Sequence, residues 1–157
     1  MRALALVLAL AACGTPPPEE KSEWERKNEQ QLQALPEAAL RLPPYPPRGE
    51  LLEYSAGATS EFRFFIDAAS LSVAGDIVRY TLVARSPQGV QNVSYEGLRC
   101  ASAEVRIYAI GRDGGWSGKP GDWRRLLAWH RPLYREYFCP LRTPIHSPDE
   151  GIAALRR

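Results

Sequence analysis

The chain has 157 residues, 45% hydrophobic and 24% charged, with a formal net charge of +2; this supports one modest core and excludes a disordered chain. Its one long apolar run, Ala3 to Ala12, is about half the length of a membrane-spanning helix, which excludes a polytopic membrane protein. Three cysteines and two histidines, Cys13, Cys100, Cys139, His130 and His146, match no common spacing for a closed zinc site, so no metal or cofactor is expected.

Met1-Arg2 followed by an apolar stretch through Ala12 reads as a secretory signal peptide, residues 1–12. The stretch closes in Leu10-Ala11-Ala12-Cys13, a lipobox-like sequence in which Cys13 is the expected site of lipidation by palmitate-type acyl chains. Several chains hold a protein stably where one anchors marginally, so the membrane is an expected partner through the N-terminus. Gly14, not Asp, follows the cysteine, which points to the outer membrane, with the protein facing the periplasm.

Residues 13–50 read as a Pro-rich tether, because eight of the fourteen prolines lie between Gly14 and Pro47 and polyproline runs are extended spacers. Within it, Ser22 and Glu25 form a capping box for a helix over Glu23 to Leu35 that Pro36 ends, with Trp24, Leu32 and Leu35 near one face.

Residues 51–157 read as a globular domain. Phe62, Phe64 and Ile66 alternate, as do Val78, Tyr80, Leu82 and Ala84 against Arg79, Thr81 and Arg85, which predicts half-buried strands. Val90 to Leu98 and Ala103 to Ile110 supply two more. Turn chemistry punctuates them at Ala74-Gly75-Asp76, Ser86-Pro87-Gln88-Gly89 and Asp113-Gly114-Gly115. Such short connections demand antiparallel pairing. Two short helices follow, Leu133 to Phe138 and Asp149 to Leu155, the second capped by Ser147 with Pro148 at its first position. The expected fold class is α+β: one small antiparallel meander with short helices packed on one face.

With Cys13 assigned to lipid, Cys100 and Cys139 remain in a compartment where disulfides persist, and a disulfide between them is expected. The rival reading makes one of them a nucleophile with His130 or His146 as base. No enzyme motif names a reaction: Gly118-Lys119-Pro120 lacks the hydroxyl and backbone N–H of a phosphate loop, and Asp67, Asp76, Glu96 and Glu104 are scattered carboxylates. Both histidines read as surface or capping residues.

Charge is unevenly placed. Arg99 to Arg157 holds 11 basic and 6 acidic residues, whereas Gly14 to Leu98 holds 8 and 12. Trp116, Trp123, Trp129, Tyr134 and Tyr137 interleave with the basic half, a combination suited to anionic glycans or lipid phosphates, since arginine forks match phosphate and aromatics stack on sugars. Nucleic acid is not an expected partner of a secreted, lipid-anchored protein.

The blocks Arg63-Phe64-Phe65-Ile66-Asp67, Ser70-Leu71-Ser72-Val73, Val78-Arg79-Tyr80-Thr81-Leu82-Val83, Asn92-Val93-Ser94-Tyr95-Glu96-Gly97-Leu98-Arg99-Cys100 and Tyr137-Phe138-Cys139-Pro140 resemble the cryptic neisserial protein 1-like family of bacterial envelope lipoproteins. The resemblance implies an envelope location and a paired Cys100 and Cys139, and transfers no catalytic residue. Asn92, Tyr95, Glu96 and Arg99, the polar members of its most recognisable block, are candidate ligand or partner contacts, together with Trp116 and Trp123. The expected function is a non-catalytic outer-membrane lipoprotein, a binding or structural module that contacts another envelope protein or an anionic glycan or lipid. The alternative is an envelope hydrolase acting on glycan or peptide through Asp67, Glu96 or a free Cys139.

Overall fold

Alternating apolar residues, broken by glycine-containing turns, set up a sheet whose strands follow one another in space as in sequence. The computed structural model describes residues 22–23, 40–57 and 60–157. The signal sequence, Cys13 and nearly all of the Glu23 to Leu35 helix lie outside the described residues. Among the described residues, no helix is long and apolar enough to cross a membrane.

The strands are β1 (Leu51–Tyr54), β2 (Arg63–Ala74), β3 (Ile77–Arg85), β4 (Gln91–Arg99), β5 (Glu104–Arg112), β6 (Gly115–Ser117) and β7 (Arg124–Arg125). They form one open antiparallel sheet in the order β1-β2-β3-β4-β5-β6, with β7 also on β5. β6, the loop at Gly121, whose N–H reaches the Ile107 carbonyl, and β7 share the outer edge of β5. The molecule is mostly sheet with a few short helices near its C-terminus, so α+β describes it only coarsely.

The expected turns close the hairpins. Gly75 takes φ +58° between β2 and β3, and the Gly89 N–H donates to the Ser86 carbonyl at 2.9 Å between β3 and β4. Asp113 and Gly114 both take positive φ between β5 and β6, the geometry of a two-residue primed turn. In β2 the register shifts between Asp67 and Ser72. Asp67 organises that bulge: its carboxylate accepts from the Ala69 N–H at 3.2 Å, and its carbonyl accepts from the Ser70 hydroxyl.

Facing pairs in the register assign the side chains to two faces. Phe64, Ala84 and Asn92 share one, with Ile66, Leu82 and Ser94 and with Tyr80 and Glu96; Asp67, Thr81 and Tyr95 share the other. The first face carries the main core, closed by Leu133, Phe138, Ile145 and Leu155 from the C-terminal segment. That segment runs as an α turn (His130–Pro132), a π-helical turn (Leu133–Phe138), a 3-10 turn (Pro140–Arg142) and a helix (Pro148–Leu155). The expected helix at Leu133 to Phe138 is thus π-helical. The C-terminal helix begins as its sequence predicts, with Ser147 accepting from the Glu150 N–H.

The disulfide between Cys100 and Cys139 is formed, with Cα atoms 5.3 Å apart. It ties the end of β4 to the end of the π turn, and the Tyr134 hydroxyl reinforces the junction by donating to the Cys100 carbonyl.

The second face is not open to water as simple alternation implies. Seven consecutive residues of β3, Ile77 to Val83, are buried, Arg79 and Thr81 among them. β3 is central, and the face behind it is covered. Phe65, Val83 and Val93 make a small second core under Tyr45, Leu51 and Trp116. Tyr45 meets Trp116 edge-on at 5.1 Å, and the Trp116 indole donates to the Pro43 carbonyl, so the end of the Pro-rich segment packs on the sheet.

Candidate functional site

The C-terminal segment covers only one end of the first sheet face, and the uncovered end is a groove of about 470 Å³. β2 supplies Phe62 from its approach and Phe64, β3 supplies Leu82 and Ala84, β4 supplies Asn92, Ser94 and Glu96, and β5 supplies Ile107 and Ile110. Trp129 forms the wall where the covering segment begins. It stacks on Phe64 at 5.9 Å with 13° between planes, and Phe62 lies 6.4 Å beyond Phe64. Phe62 and Ile110, 42% and 48% exposed, are two of the large apolar side chains left facing solvent, and both line this groove. A pocket of this size, apolar with a few convergent polar groups, is the usual form of a ligand site.

Glu96 sits at the floor and is itself 3% exposed. A buried carboxylate persists only when hydrogen-bonded, and three donors meet this one. Ser94 Oγ donates to Oε1 at 2.6 Å, Tyr80 Oη donates to Oε2 at 3.2 Å, and His130 Nε2 lies 2.9 Å from Oε2. The Leu127 N–H donates to Nδ1 of the same imidazole at 3.3 Å, which assigns Nε2–H as the donor to Glu96. His130 is fully buried, not a surface histidine, although it does cap the Leu127 amide. Burial first, and the Glu96 charge second, push the Tyr80 phenol well above its ordinary range, and the same two causes act on Tyr54. Tyr54 in turn holds the wall by donating to the Trp129 carbonyl at 3.1 Å.

The sequence-predicted contact residues divide between the two faces. Asn92 and Glu96 line the groove. Tyr95, Trp116, Trp123 and Arg99 do not: Tyr95 lies behind the sheet, 6.2 Å from Trp116, and the Arg99 guanidinium stacks 4.0 Å over Trp123 while pairing with Glu104 at 3.4 Å. Arg106 lies 5.9 Å from the Trp123 ring and Arg79 5.7 Å from that of Tyr108, so arginine and aromatic side chains alternate across that face. Asp67 is on the face opposite Glu96, and Cys139 is in the disulfide. Cys13 lies outside the described residues. Sequence reasoning did not name Ser94, Ile107 or Ile110 as site residues; Glu96 and His130, which the hydrolase reading requires to share one pocket, do meet here across a separation of 34 residues. Among the described residues, no three His, Cys, Asp or Glu side chains gather as a metal ion would need.

A family model described as the CNP1-like family matches residues 19–156, and the chain belongs to that family. No curated protein and no solved structure matches the chain.

Proposed function

We propose that this member of the CNP1-like family is a non-catalytic envelope lipoprotein, anchored at the outer membrane through Cys13 and facing the periplasm, whose groove binds apolar side chains of another envelope component. One observation carries the binding role. The groove has an aromatic wall and aliphatic sides, and Glu96 at its floor, the one carboxylate lining it among the described residues, already accepts three hydrogen bonds. A glycosidase-type mechanism needs a second carboxylate within about 5–10 Å across the substrate, and among the described residues none lines this groove. A naphthylamine probe that fluoresces in apolar sites tests the reading. The wild-type chain should enhance its emission, and Ile110→Glu, a change at an exposed rim position, should remove the enhancement with the circular dichroism unchanged. Equal enhancement by both proteins refutes the groove as the site. For the anchor, Cys13→Ser should release the protein from the membrane pellet, and retention of the variant there refutes lipid attachment.

A second reading, an envelope hydrolase acting on glycan or peptide, draws on the Glu96–His130 contact of 2.9 Å beside the groove. It requires Glu96 to act alone, since Asp67 faces away and Cys139 is bonded to Cys100. Hydrolysis of a peptide or glycan library by the wild-type chain, lost in Glu96→Gln while probe binding persists, decides for this reading over the first.

A further inference from the structure

A second cavity, independent of the groove, lies beside the turn between β4 and β5. It has a volume of about 600 Å³ and is lined by Arg125, Arg131 and Arg135 together with Ser102, Glu104 and Tyr134. The fold brings these together from three places. β7 pairs with β5 so that Arg125 stands opposite Glu104. Arg131 and Arg135 are four residues apart where the α turn passes into the π turn, so they project from one side of the segment. The Cys100–Cys139 disulfide and the bond from Arg142 to the Ala101 carbonyl hold that segment against the β4–β5 turn.

The charge of this cavity is not balanced from within. Its one carboxylate among the described residues, Glu104, already has partners: Oε2 accepts from Ser102 Oγ at 2.6 Å and lies 3.4 Å from Arg99 Nη1. Among the described residues, Arg125, Arg131 and Arg135 have no carboxylate partner. Three like charges around one concavity repel, and guanidinium forks present paired donors that match a tetrahedral oxyanion.

We propose that this cavity is a phosphate-binding site, taking the phosphate of a soluble phosphomonoester or of an anionic lipid headgroup. Three arginines on a rigid, disulfide-held frame supply the donors, and Ser102 and Tyr134 shape its walls.

The test uses the full chain carrying Cys13→Ser, so that no acyl anchor confuses the lipid arm. Glycerol phosphate should raise the thermal midpoint more than sodium chloride at equal ionic strength. Arg131→Gln with Arg135→Gln, both at exposed positions, should weaken that response at least tenfold. Arg124→Gln, which removes one positive charge outside the cavity, should leave it unaltered. The lipid arm measures co-sedimentation with vesicles of phosphatidylglycerol against vesicles of phosphatidylcholine. Binding to glycerol phosphate alone identifies a soluble phosphomonoester, and binding to phosphatidylglycerol vesicles alone, lost in the double variant, identifies a headgroup; either supports the site. Equal responses to phosphate and chloride without vesicle binding, or equal losses in the Arg124 and Arg131/Arg135 variants, overturn it. Circular dichroism of each variant separates loss of binding from loss of fold.

Discussion

Removing the Glu96 carboxylate tests how the groove floor is held. In Glu96→Ala, Ser94 can turn toward the groove and water, but Tyr80 and His130, each 0% exposed, lose their acceptor where water cannot replace it. Each stranded donor costs about 1–3 kcal/mol, and two are stranded here. The expected loss is therefore about 4 kcal/mol, a large share of the roughly 5–15 kcal/mol that holds a typical domain. Glu96→Gln should behave differently. Its amide oxygen can take the Oε2 position facing Tyr80 and His130, while its NH₂ donates to Ser94 Oγ, whose hydroxyl rotates to accept. What it loses is charge assistance, about 1 kcal/mol, because the three contacts survive. Urea unfolding followed by tryptophan fluorescence, with the disulfide intact, measures both variants. A Glu96→Ala loss under about 1 kcal/mol, or equal losses in the two variants, would refute the view that this carboxylate is a structural acceptor.

Other expectations follow from the same structure. Replacing Cys100 and Cys139 together by Ser should lower stability by about 4 kcal/mol, the chain-entropy value for a closed loop of this length, whose ends are 39 residues apart; an unchanged urea midpoint on reduction contradicts this. Thr81 is fully buried and its hydroxyl finds no hydrogen-bond partner among the described residues, so Thr81→Val should be neutral or stabilising by up to about 1 kcal/mol in thermal unfolding, and a clear loss of stability counts against it. Burial raises the phenols of Tyr54, Tyr80, Tyr95 and Tyr134 above their ordinary value. The folded state then keeps protons that the unfolded state releases, so stability is full below about pH 10 and falls as pH rises beyond it. Phenolate absorbance from Tyr54 and Tyr80 should grow only as the domain unfolds, and their smooth titration with the near-ultraviolet circular dichroism intact contradicts this.

The sequence carried the local features and missed those made by distant contacts. Alternation marked β2 to β5, and Gly75, the Ser86 to Gly89 turn and Asp113-Gly114 marked their connections, because period and turn chemistry are set by neighbours in the chain. β6 and β7, three and two residues long, are too short to show a period and exist because β5 offers an edge. Arg79 and Thr81 read as solvent-facing, yet Tyr45, Tyr108 and Trp116 arrive from distant parts of the chain to cover their side of the sheet. Glu96 was named from its block, but its meaning came from register. That placed it with Tyr80 and Ser94 and put Asp67 behind the sheet. The groove itself depends on where the C-terminal segment stops covering the first face, a tertiary fact with no counterpart in local pattern.

The rims of the sheet have a consequence for self-association. β1 is four residues long, the C-terminal helix lies against β1 and β2, and β5 is capped piecemeal by β6, the Gly121 amide and β7. Among the described residues, the outermost strands are therefore short, and where β2 runs on past its pairing with β1 the C-terminal helix lies against it, which leaves little regular edge onto which a neighbouring molecule can zip. Copies crowded together are protected from fibril-like stacking, and encounters with other molecules fall to the side chains of the two broad surfaces.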